Sequence, residues 1–124
     1  MTSGTFACKL KVDCFLSYFP ETDRKEQVRS WLWECYQDMD SILQKAADNS
    51  KCSVFFYLTS DIKFYCVIGI DRIDLTSSKL EMHFDSNLLN LASSCFCNHL
   101  RQLGLLVRNP VSITEEKIEF MASW

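Results

Sequence analysis

The chain reads as an α+β domain, a two-layer fold in which helices cover one face of an antiparallel sheet. Two patterns carry that expectation. Several segments alternate apolar and polar side chains with the two-residue period of a strand, while two longer ones repeat apolar positions at three- and four-residue steps. The turns between the middle strands are too short for crossover helices, so those strands must pair antiparallel. Two amphipathic helices on one sheet face are the natural way to close such a sheet. The expected order is β-α-β-β-β-α with a short C-terminal helix or strand, in a single domain over 1–124.

The first strand is expected over Phe6 to Tyr18. Phe6, Cys8, Leu10, Val12, Cys14, Leu16 and Tyr18 alternate with Lys9, Lys11, Asp13 and Ser17, although Ala7 and Phe15 fall on the polar side. Pro20 ends it, and Asp23-x-x-Glu26 has the spacing of a helix capping box. From there Val28, Leu32, Cys35, Met39, Ile42 and Ala46 recur with helical spacing, flanked by Trp31, Tyr36 and Leu43, out to Asp48. Cys52 to Thr59 and Lys63 to Ile70 form a hairpin through Ser60-Asp61. A third strand is expected over Lys79 to Phe84, beyond a polar loop.

Asp85 or Ser86 then caps a second helix with an apolar stripe of Leu88, Ala92, Cys95, His99 and Leu103, and Gly104 stops it. In the tail, Pro110 and Ser112-x-x-Glu115 favour a short helix. Ile118, Phe120, Ala122 and Trp124 alternate as a strand would. The helix is preferred.

Composition narrows the function. With 124 residues, 48% of them apolar and 13% aromatic, the chain can bury a core without disulfides or a structural metal. The net charge of −3, with Lys and Arg scattered, argues against a nucleic-acid surface or an anionic membrane. No apolar run approaches the ~20 residues of a membrane span, and MTSGTFACKLKV has no secretory pattern. The seven cysteines are odd in number and mostly occupy apolar positions, which predicts reduced thiols in the cytoplasm or nucleus.

The one concentration of reactive residue types is SSCFCNHLRQL, with Cys95, Cys97 and His99. Residues two apart on a helix lie roughly 200° apart, so Cys95 and Cys97 point opposite ways, while Cys95 and His99 share a face. Zinc needs about four ligands, and His83 alternates to the side of its segment away from Leu80, Met82 and Phe84. Packing is the expected role of Cys95, with His99 a boundary histidine bonded to backbone and Cys97 an exposed thiol. The Asp71-Arg72-Ile73-Asp74 carboxylates read as a solvated strand end. No metal, cofactor or catalytic group is expected.

Apolar side chains on faces that ought to be polar point elsewhere. Trp33 falls among Arg29, Gln37, Asp40 and Gln44, where an aromatic side chain is a typical interface anchor. In the middle hairpin Phe55, Tyr57, Tyr65 and Val67 alternate against Val54, Phe56, Leu58, Phe64, Cys66 and Ile68, so both sheet faces are apolar. Two helices cover one face. The other would expose a patch that soluble monomers rarely leave bare, joined by Phe15 if the first strand is adjacent, unless the tail folds across it.

The expected contact set is Trp33, Phe55, Tyr57, Tyr65, Val67, Phe120 and Trp124. It would serve a non-catalytic protein-interaction subunit, in a homodimer or, in preference, a heteromeric complex. The alternative is a small enzyme or carrier of an apolar ligand, built on Cys95, Cys97 or His99.

Overall fold

A computed structural model describes residues 11–75 and 80–124. The architecture is α+β, with a five-stranded antiparallel sheet. In chain order the described elements are helix α1 (residues 11–16), helix α2 (Thr22–Asp48), strands β1 (Ser53–Thr59), β2 (Phe64–Ile68) and β3 (Asp71–Asp74), helix α3 (Ser86–Gln102), and strands β4 (Leu106–Thr114) and β5 (Lys117–Ser123). The strand order is β3-β2-β1-β5-β4, so the C-terminal strand is inserted beside β1 at the centre.

The first strand is overturned at residues 11–16, which are helical; residues 6–10 lie outside the described residues. Val12, Phe15, Leu16 and Phe19 follow helical spacing within the same letters, and all four are buried. Phe15, the residue that spoiled the two-residue alternation, is fully enclosed, its ring edge-on to Phe19 at 5.5 Å and Phe84 at 5.8 Å. It therefore belongs to the core and not to an open sheet face.

α2 matches its expected span closely, and every residue of the expected stripe is buried. Its N-cap is Glu21, which makes no side-chain cap bond, so the Asp23–Glu26 box does not form. Asp23 instead places a carboxylate in the first turn, where the helix dipole favours it. α3 starts as expected, with the Asp85 carboxylate accepting the Leu88 N–H at 2.8 Å. It ends at Leu103 and Gly104, whose φ of 86° is a conformation glycine adopts without the penalty a Cβ would bring.

The β1–β2 hairpin forms in the register Tyr57↔Tyr65. Gly69, with φ of 63°, and Ile70 then turn the chain directly into β3, pairing Ile68 with Asp71. The third strand is thus the Asp71–Asp74 segment taken for a solvated end. Residues 80–85 form no strand, and Lys79 lies outside the described residues.

The preferred C-terminal helix is also overturned. Glu115 and Glu116 turn β4 back into β5, and β5 pairs with β1 along seven positions from Ser53↔Ser123 to Thr59↔Lys117. Burying Ile118, Phe120 and Ala122 at 0–1% exposure yields more than a solvated helix could. Pro110, which cannot donate to a ladder, sits in edge strand β4 at an irregularity between Arg108 and Val111.

The core is the layer between the inner sheet face and the helices. Phe56, Phe64 and Phe120 lie side by side on β1, β2 and β5, with Phe96 of α3 stacked on Phe64 at 4.8 Å. Trp31 of α2 reaches Phe96 at 5.8 Å and Phe84 at 5.6 Å. Tyr36 of α2 donates its hydroxyl to the Cys95 carbonyl at 3.3 Å, and His99 of α3 pairs with Asp40. Both contacts link residues 59 apart, so the two helices run parallel over this stretch.

Candidate functional site

Strand alternation places Phe55, Tyr57 and Thr59 of β1 on the outer sheet face, away from the helices, and leaves them half-buried. The pairing register adds Tyr65 and Val67 of β2, Arg72 and Asp74 of β3, Lys117, Glu119 and Met121 of β5, and Arg108 of β4. The expected aromatic patch is therefore one continuous surface across the sheet. The tail does not fold across it, because β5 is part of the sheet itself.

The aromatic rings here are organised by charge. Tyr57 and Tyr65 stack at 5.0 Å. The Arg72 guanidinium lies 3.8 Å from the Tyr65 ring centre, and Lys117 Nζ lies 5.0 Å from Tyr57 and 5.4 Å from Tyr65. Arg108 sits 5.6 Å from the Phe55 ring and pairs with Glu119 at 2.6 Å. Glu119 also takes a hydrogen bond from the Tyr57 hydroxyl, and burial first, then that bond, push the Tyr57 phenol up to about 12. Long cationic stems covering rings explain why Tyr65, on an otherwise open face, is only 6% exposed.

Of the other expected contact residues, Trp33 is 48% exposed on α2, its ring 5.2 Å from that of Tyr36. Trp124 is 41% exposed and lines a shallow groove of about 360 Å³ with Leu43, Leu103 and Leu105. Phe120 is corrected: its position in β5 points it inward, where it is fully buried against Phe56 at 5.2 Å. Sequence reasoning missed Met121, Arg72 and Lys117 because their segments were not taken as strands; alternation in KIEFMAS would have supplied two of them. Leu106, 74% exposed on β4, and Ile70, 99% exposed at the β2–β3 tip, were likewise unforeseen.

The cysteine–histidine segment resolves into packing. Cys95 and Cys97 are both fully buried. Cys97 is therefore not the exposed thiol expected of it. Burial pushes its thiol up to about 12, against the smaller opposing effect of the Arg101 and Lys11 charges. His99 bonds to a side chain and not to backbone: its Nε2 is 2.8 Å from the Asp40 carboxylate, and its ring stacks on Tyr36 at 4.3 Å. Raised thiols at Cys35 and Cys66 have the same leading cause, burial. Cys14 and Cys52 are exposed. Among the described residues no three His, Cys, Asp or Glu side chains gather where a metal could be held, and no helix is long and apolar enough to cross a membrane.

No family model, curated protein or solved structure matches the chain.

Proposed function

We propose that the protein is a non-catalytic, intracellular interaction subunit that binds another protein through its outer sheet face, with Trp33 as a second contact. The observation that carries this reading is the half-exposed row of Phe55, Tyr57, Val67 and Met121 on a face opposite the helices. Aromatic side chains with a polar tip suit an interface, because they bring large contact area at small conformational cost. A heteromeric complex is preferred to a homodimer. The thiols support the same reading, since reactive cysteines need exposed, electropositive settings, whereas Cys95 and Cys97 are enclosed.

The test is co-purification from source cells with mass spectrometry, alongside light scattering of the isolated protein. Tyr57→Ser and Trp33→Ala should each lose bound partner while keeping the circular dichroism of the parent. A monodisperse monomer whose two variants retain every partner of the parent overturns the proposal. Native mass spectrometry addresses the enzyme or carrier alternative: a stoichiometric small-molecule adduct on the parent chain would favour it instead.

A further inference from the structure

The outer face is not uniform in charge, and its imbalance specifies what should bind there. Where the β1–β2 and β4–β5 turns meet, the sheet opens into a depression of about 600 Å³. Lys63, Arg72, Lys117 and His83 line it, against the carboxylates of Asp61 and Glu116. Lining cations outnumber lining carboxylates there by three to two, in a chain that as a whole carries −3.

Lys63 and Arg72 meet their acidic neighbours Asp61 and Asp74 only at 3.5 Å, longer than the ~2.7–2.9 Å of a well-made charge-assisted bond. Lys117 makes no ion pair among the described residues; its ammonium rests near the Tyr57 and Tyr65 rings. A ring face holds a cation in place without neutralising it. Reading across four adjacent strands, Arg72 and Lys117 bracket the tyrosine pair. Phe55, Val67 and Met121 continue the same face beyond it.

We infer that this end of the outer face receives an acidic segment of the partner, one carboxylate settling between Lys117 and Arg72 over the tyrosine pair and an adjacent apolar side chain lying on Phe55, Val67 and Met121. The inference rests on the interaction role proposed above and adds the chemistry of the partner. Side chains two apart in an extended segment are roughly 7 Å apart on one face, a spacing that lets an acidic and an apolar residue reach the two halves together. Electrostatic complementarity of this kind sets register and association rate as well as affinity.

The experiment is a nuclear magnetic resonance titration of the isotope-labelled full chain with the capped pentapeptide Ser-Glu-Ser-Leu-Ser, which sets glutamate and leucine two apart on one face, beside the same peptide with lysine in place of glutamate. The acidic peptide should shift resonances of Thr59 to Tyr65, Arg72 and Lys117, with affinity that falls as salt rises. Lys117→Ala or Arg72→Ala should weaken it about fivefold each, the upper end for a partly exposed pair. Equal shifts from both peptides, shifts untouched by both substitutions, or self-association at this face without peptide would each overturn the inference. The two readings separate in co-purification. A natural partner lost with Tyr57→Ser but retained by the Lys117→Ala, Arg72→Ala double variant sinks the acidic segment and leaves the interaction role standing. A partner retained by all of them removes both.

Discussion

The two faces of the sheet use the same aromatic vocabulary and end as different surfaces. On the inner face Phe56, Phe64 and Phe120 pack ring against ring, and α3 closes over them through Phe96. On the outer face Phe55, Tyr57 and Tyr65 share their rows with Arg72, Arg108, Lys117 and Glu119. Aromatic content alone does not say which side is inside. What separates them is the neighbour one strand away: an apolar residue calls for another layer, whereas a long cation shelters the ring and leaves it reachable.

The contrast is broken most severely from the inside. Phe96→Ala removes a fully buried ring that contacts Phe64, Phe120, Trp31 and Tyr36, and should cost about 3–5 kcal/mol in urea unfolding. Phe55→Ala, on the half-buried face, should cost about 1–2 kcal/mol, in keeping with partial burial. Equal losses from the two would mean that the outer face is as closed as the inner one.

Sulfur gives a finer comparison. Cys97→Ser puts a hydroxyl into an enclosed site and should cost about 1–3 kcal/mol, while Cys52→Ser, at an exposed position, should stay within about 0.5 kcal/mol. Iodoacetamide on the native chain should modify Cys14 and Cys52 well ahead of Cys97, whose thiol burial holds at about 12. Rapid, selective modification of Cys97, read by peptide mass spectrometry, would return that thiol to candidacy for chemistry.

What the sequence made legible follows from how local each signal is. α2 and the β1–β2 hairpin carry long, unmixed periodicity, and both form where expected. The 11–16 segment satisfies a two-residue and a helical pattern at once, and only the packing of Phe15 and Leu16 decides between them. Val12, Phe15, Leu16 and Phe19 were the available clue. β5 was ambiguous for another reason: it gains its stability from pairing with β1, more than fifty residues away, a partner no local window contains. The outward-facing positions of Trp33 and Phe55 followed directly from period. The cations that hold the outer face followed only from register.

The mildest test concerns the hydroxyl that ties Tyr57 to Glu119. Because the folded phenol titrates at about 12, above the ordinary value of about 10, the protonated form is the one that folding favours. Its contribution is complete below about pH 10 and is lost as pH rises from 10 towards 12, since the unfolded chain releases its proton first. Tyr57→Phe should therefore cost about 1 kcal/mol at pH 8, and the gap between parent and variant should shrink through that window, read from urea unfolding at pH 8, 10 and 11.5. A gap that holds constant across the window would detach the hydroxyl from Glu119 and leave the outer face ordered by its cations alone.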